Sequence, residues 1–319
     1  MNFKDSNRQS YLRPRCKDCI IDVTRKYIRS YYQDQKQTVF HSTAQEDQDL
    51  NTTLEQHYEA PNSPNEMATY LCGKAIYYTQ DQDPWKYIRD QSNRIALSLM
   101  PTAKTDIASI IDPDARLFRA IEWSIAGNNI DFGTAGHEMK LNSQFLYEIF
   151  TKVRQEGFSI NHFDQFLDNL AHFKQCLYIC DNAGEIAFDT LVIKELQSKG
   201  VSVVAVVKGG PISNDAIYDD AKQVGLDKVT EVITTGSADL GFFPYGNSPE
   251  FLQILNKSPL VIAKGQANWE AIYAYQDQLA ESINFYSLFK IKCEVHAELL
   301  KLPLCSNLLY NVKKSDFKT

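Results

Sequence analysis

An α/β fold with a mostly parallel sheet is the class this chain predicts, on three observations. From residue 175 onward, short apolar runs alternate with segments of helical spacing. Each run ends in glycine, acidic, amide or basic residues, as strands do at the ligand-binding edge of an open α/β sheet. Before residue 175 the apolar periodicity is helical, so the early helices are expected to form a bundle or cap against the sheet.

The elements follow in order. Cys16-Lys17-Asp18-Cys19 opens a helix whose apolar face runs Ile20, Val23, Tyr27, Tyr31. The CxxC admits metal, redox or purely structural roles. No second CxxC or histidine pair completes four zinc ligands, and no strand precedes it as a thioredoxin-like motif requires. Residues 41–66 are rich in Gln, Asp, Asn and Thr, with Pro61 and Pro64, and read as a long exposed loop holding one helical turn. Asp83-Pro84 and Asp112-Pro113 each start a helix, the first through Trp85, Ile88, Ile95 and Leu99, the second through Leu117, Ala120, Ile121 and Ile125. The second stops in the Gly/Asn-rich stretch 126–133. Two amphipathic helices follow, through Phe145, Leu146, Ile149 and Val153, then through Phe163, Phe166, Leu167, Leu170 and Phe173.

Strands are expected at 177–180, 201–207, 228–234, 260–263 and, as the last, 285–291. Helices lie between them, starting at Glu185, at Asn214-Asp215, near residue 250 and at Trp269. Right-handed crossovers would bring all the strand ends to one edge.

With 319 residues, 44% hydrophobic and 23% charged, the chain can build one large α/β domain or one with a helical attachment. The expected division is a helical region over 1–115 and an α/β core over 116–319. A net charge of −7 and a pI near 5.4 argue against nucleic acid as the main partner. No run reaches transmembrane length, and the polar, basic residues 1–15 lack the apolar centre of a secretory signal. Seven scattered cysteines fit reduced thiols, so a cytoplasmic location is expected.

The candidate site is the shared strand edge. Asp181 and Asn182 follow the first expected strand, Asp215 the second, Lys264 and Asn268 the fourth, and Lys292 the fifth. Two carboxylates and an amide offer hard oxygen ligands suited to a magnesium-like cation. Lys292 and Lys264 are placed to neutralise a phosphate, and helix N-termini add N–H donors. Without a cation the carboxylates would repel that phosphate; with one, their charge becomes useful. The bland alternative is a set of Asx-turns that cap helices on an ordinary doubly wound sheet. The histidines, including His137, His172 and His296, lack ligand spacing and receive no role.

Asp181-Asn182-Ala183-Gly184-Glu185, Lys208-Gly209-Gly210-Pro211 with Asn214-Asp215, and Lys264-Gly265-Gln266-Ala267-Asn268 resemble the metal-dependent damage-control phosphatase family. The likeness extends to Asp83-Pro84-Trp85, Asn93-Arg94-Ile95, Asn128 with Asp131, Lys292-Cys293 and the CxxC, and so spans nearly the whole chain. The resemblance implies a three-layer α/β/α core carrying the helical N-terminal region. It implies a divalent metal (manganese, cobalt, nickel or magnesium) held by Asp181, Asn182 and Asp215. It implies hydrolysis of small phosphate monoesters such as sugar phosphates, nucleotides or phosphopantetheine-type metabolites, damaged ones included. By the same resemblance Gln266 and Asn268 hold substrate, Lys292 is a basic contact, and Asn128 and Asp131 line the pocket from the helical side. Glu270 stands where sugar-phosphate-hydrolysing relatives carry a basic residue. Asp181 as ligand only, or also as covalent nucleophile, are both open. Two other classes stay in view. One is a non-catalytic phosphometabolite sensor or scaffold. The other is a carboxyl methyltransferase, disfavoured by the absence of a G-x-G-x-x-G after the first strand.

Overall fold

The computed structural model describes residues 13–34, 44–58, 63–128, 143–243 and 246–313. Five helices come first: α1 (Pro14–Asp34), α2 (Ala44–Tyr58), α3 (Pro64–Thr79), α4 (Lys86–Ala108) and α5 (Pro113–Asn128). Then come α6 (Ser143–Glu156), β1 (Ile160–Asn161), α7 (Phe163–His172), β2 (Gln175–Ile179), α8 (Glu185–Ser198), β3 (Ser202–Val207), α9 (Tyr218–Val224) and β4 (Glu231–Thr234). The chain closes with α10 (Pro249–Lys257), β5 (Leu260–Lys264), α11 (Gly265–Tyr275), β6 (Asn284–Lys290), α12 (Glu294–Leu300) and β7 (Asn307–Val312).

The strands form one sheet in the order β1-β7-β6-β5-β2-β3-β4, parallel throughout except for the antiparallel pair β6–β7. Alternation along each strand feeds two cores. Cys176, Tyr178, Val203, Ala205, Leu260 and Ile262 pack under α4 to α8, while Leu177, Ile179, Val206, Val261 and Ala263 pack under α10 and α11. Strands buried on both faces read as continuous apolar runs, which is why their periodicity gave no alternation to find. The result is the expected mixed α/β architecture, three layers deep, with a mostly parallel sheet.

Three expectations need correction. First, the described residues 44–58 of the span 41–66 are not an exposed loop with one helical turn: they form α2, with Leu50 and Leu54 buried against α1 and α3. The Ser63 hydroxyl accepts the Glu66 N–H, and the Glu66 carboxylate accepts the Ser63 N–H, so a capping box with Pro64 in the first turn starts α3. Second, 285–291 is not the last strand. β7 follows it and pairs antiparallel, so the sheet has two more strands than periodicity suggested. Third, Asn214-Asp215 does not begin a helix. It lies in the turn before α9, which starts at Tyr218.

α4 packs on α8, and its Ala96, Leu99 and Ala103 belong to the same core as the sheet. Arg89 on α4 is buried and bridges Asp83 (2.6 Å) to Asp220 on α9 (2.9 Å). No described helix is long and apolar enough to cross a membrane.

Candidate functional site

The chain runs outward from β2 to β3 and β4, then returns to place β5 on the other side of β2. That reversal is a topological switch point, and open α/β sheets place their ligand crevice beyond the carboxyl ends of the strands at such a point, here β2 and β5. Asp181 and Asn182 leave β2 at this crevice, and Gly265 leaves β5 beside them.

Backbone pairing fixes the acidic loops. The Ala216 N–H donates to Asp181 O (2.8 Å) and the Ala183 N–H to Asn214 O (2.9 Å), so Asn182 and Asp215 form an isolated antiparallel bridge. Residues far apart in sequence are thereby set side by side. The Asp181 carboxylate accepts hydrogen bonds from the side-chain amides of Asn182 (2.7 Å) and Asn128 (3.0 Å). Asn128 also donates to Glu185 (2.9 Å) and accepts from the Lys290 N–H (3.3 Å), so the end of α5 reaches the same crevice. The turn between Asp181 and α8 needs Gly184, at φ +79°: a Cβ there would lie 2.8 Å from the Ser92 carbonyl oxygen. Asn93 locks that turn by accepting the Gly184 N–H (2.7 Å).

Gly265 is required more strictly. It adopts φ +78°, and a Cβ would fall 2.0 Å from an Asp181 carboxylate oxygen. The first turn of α11 can lie against Asp181 only because no side chain intervenes.

The electrostatics are unbalanced at Asp181. Burial pushes its carboxyl well above the usual range, and the charges of Glu185 and Asp215 push it further, against the pull of Lys292 and Lys208. No described cation forms an ion pair with Asp181. Asp215 has Lys208 at 3.5 Å, and Glu185 has Lys264. A divalent ion fits this deficit: Asp181, Asn182 and Asp215 supply hard oxygens, and the surplus carboxylate charge needs a counter-ion. Among the described residues no three Asp, Glu, His or Cys side chains gather with metal-ligand geometry, so the set depends on the Asn182 amide oxygen.

The other expected site residues fall in different places. Lys292 is half-buried just past β6, and its N–H donates to the Gln266 side-chain oxygen (3.1 Å), so these two sit together at the crevice. Asn268 is fully buried. Its amide donates to Lys264 O (2.7 Å) and Cys180 O (3.1 Å), and its side-chain oxygen has no hydrogen-bond partner. Lys264 is placed under the site rather than at it. Its ammonium is completely buried and donates to Glu185, to Ser124 (2.5 Å) and to Asp189 (2.9 Å). That charge is spent inside the protein instead of facing a phosphate. Asp131 lies outside the described residues. Glu270, the departure from the family pattern, is buried and accepts the Asn65 N–H (2.7 Å), with the His296 ring 3.3 Å away. It ties α3 to α11.

Sequence reasoning gave no role to Glu185, Asp189, Ser124, Lys208 or Asn93. For Lys208 a signal existed, since it stands at the end of β3 much as Lys264 stands at the end of β5. Ser124 and Asp189 lie mid-helix among apolar neighbours, and nothing local marks them.

Fold and site together define an open α/β protein with a cluster of buried acids at its switch point. A profile of the damage-control phosphatase ARMT1-like domain matches residues 13–308, and the chain belongs to that family. An uncharacterized protein of Methanocaldococcus jannaschii is 32% identical over 302 residues, covering 93% of this chain and 94% of that protein. A protein named damage-control phosphatase from Archaeoglobus fulgidus is 32% identical over 249 residues, 78% of this chain and 82% of its own. The crystal structure of a DUF89 family protein from Pyrococcus horikoshii superposes with a TM-score of 0.79 at 24% identity, covering 94% of this chain and 99% of that one, and agrees on the fold.

Proposed function

We propose that this chain is a divalent-cation-dependent phosphatase of small phosphomonoester metabolites. Family membership and two relatives named damage-control phosphatase support the phosphatase part. One observation carries the metal part: Asp181 is buried beside Glu185 and Asp215, and among the described residues no cation forms an ion pair with it.

In this reading Asp181, Asn182 and Asp215 hold the ion, with manganese, cobalt, nickel or magnesium as candidates. The ion supplies Lewis acidity toward the phosphoryl oxygens. Lys292 offsets negative charge on the phosphoryl group from the β6 side, an electrostatic contribution of the kind that dominates phosphoryl transfer. The Gln266 side-chain oxygen accepts the Lys292 backbone N–H and so fixes the segment that carries Lys292. Asn128 holds Asp181 and Glu185 in register, so it acts on the substrate side only after orienting the acids. Lys264 pairs with Glu185 and Asp189 and offsets one negative charge between them beneath the site. Because Glu270 is engaged with Asn65 and His296, it does not stand in for a basic sugar-phosphate contact, and substrates are not carried over from relatives that have one.

The test is phosphate release from a panel of sugar phosphates, nucleotides and phosphopantetheine-type esters, first with chelated protein and then with each divalent metal added. Release that appears only with metal supports the reading. Tight binding of the esters with no release under any metal would favour a sensor instead.

A further inference from the structure

The CxxC of α1 is not isolated. All seven cysteines are free thiols, and two of them, Cys16 and Cys293, border one apolar cluster. Arg15 forms ion pairs with Glu294 (2.9 Å) and Glu298 (2.7 Å), which seats the start of α1 on α12. Cys293, the residue before α12, packs against the cluster formed by Cys16, Ile20 and Val295. Cys19 stands one turn after Arg15 on the same face of α1, the face that Arg15 turns to Glu294 beside Cys293, and burial raises the Cys16 and Cys19 thiols. Cys16 is buried, Cys19 exposed and Cys293 half-buried. The three do not adopt metal-ligand geometry.

We propose that Cys19 and Cys293 form a thiol modification site, oxidised by low-molecular-weight disulfides to a bond between the helical region and the catalytic edge. The Cys19 thiolate attacks one sulfur of the small disulfide, whose S–S bond breaks as a mixed disulfide forms and one small thiolate leaves. The Cys293 thiolate then attacks the Cys19 sulfur, forms the Cys19–Cys293 bond and expels the second small thiolate. Each leaving thiolate takes up a proton lost from a protein thiol, so two protein thiols are oxidised and the small disulfide is reduced to two thiols. Cys19 is the entry point because it is exposed, whereas Cys16 beside it is shielded. The new bond sits one residue from Lys292, whose N–H is held by Gln266, and so restrains the strand end that carries the proposed basic contact.

The experiment uses the full-length, folded protein. Reduced protein is freed of reductant, incubated with oxidised glutathione, alkylated and digested, and its disulfides are mapped by mass spectrometry; metal content is measured on the same preparation. The expected result is a cross-linked Cys19–Cys293 peptide that dithiothreitol removes and that falls to background in Cys19→Ser and in Cys293→Ser. Cys19→Ser changes an exposed side chain and leaves the packing of Cys16 intact. A disulfide confined to Cys16–Cys19, or a Cys293 that stays fully alkylated, would overturn the proposal. So would stoichiometric zinc or iron that is lost in Cys293→Ser, because the cluster would then be a metal site. None of these readouts depends on phosphatase activity, so the proposal stands or falls apart from the proposed function.

Discussion

Replacing Lys264 by Met removes one charge and leaves most of the side-chain volume. Lys264, Glu185 and Asp189 have no exposed side-chain surface, so the variant strands two carboxylates in the interior. Breaking a buried ion pair by removing one partner costs about 3–5 kcal/mol. Unfolding entropy of roughly 2.1 cal/mol/K per residue gives about 0.67 kcal/mol/K for 319 residues, so 4 kcal/mol corresponds to a Tm lowered by about 6 °C. The loss should depend on pH. Burial already raises the Asp189 carboxyl, and without Lys264 it rises further. A carboxyl raised in the folded state contributes stability below its ordinary range and loses it as pH climbs through the folded value. The deficit against wild type should therefore be small in acid and grow toward neutral pH. Lys264→Met combined with Asp189→Asn should recover part of it. Calorimetric melts of metal-free protein at several pH values provide the assay. A Tm within 1 °C of wild type at neutral pH, the range of an exposed ion pair, would refute a buried Lys264 that pairs with Glu185 and Asp189.

Further predictions concern the crevice and the helical region. Gly265→Ala places a Cβ against the Asp181 carboxylate at a positive φ, so phosphate release should be lost. Its backbone strain adds about 1–3 kcal/mol of destabilisation in the same melts. Leu54→Ala should cost about 2–5 kcal/mol in denaturant melts, because the side chain is wholly buried; a surface loop would lose almost nothing. Arg89→Met should destabilise by about 3–5 kcal/mol, since it leaves Asp220 buried without its partner.

Much of this was legible in the sequence because parallel strands announce themselves twice. Each is a short apolar run, and each ends in a residue that cannot be buried alone. The ends of β2, β3, β5 and β6 were read this way, and they are the ends that meet. β7 escaped because the Asn307 to Val312 segment follows a Pro- and Cys-containing turn, and it pairs antiparallel to β6 although α12 lies between them. α2 escaped because its polar composition hides two core leucines, Leu50 and Leu54, spaced one turn apart. The exchange of roles at Lys264 has a similar cause. Sequence places a lysine at a strand end, but the pleat decides which way it points, and residues 260, 262 and 264 share the face that packs on α5 and α8. There Ser124 and Asp189 meet it, and neither sits in a motif.

The central claim is that Asp181, Asn182 and Asp215 hold a divalent ion. Calorimetric titration of manganese into chelated protein tests it most directly, run side by side on wild type, Asp181→Asn and Asp215→Asn. The account predicts saturable binding of one ion by wild type and its loss in both variants, with melts showing both still folded. Equal affinity in all three proteins would contradict it.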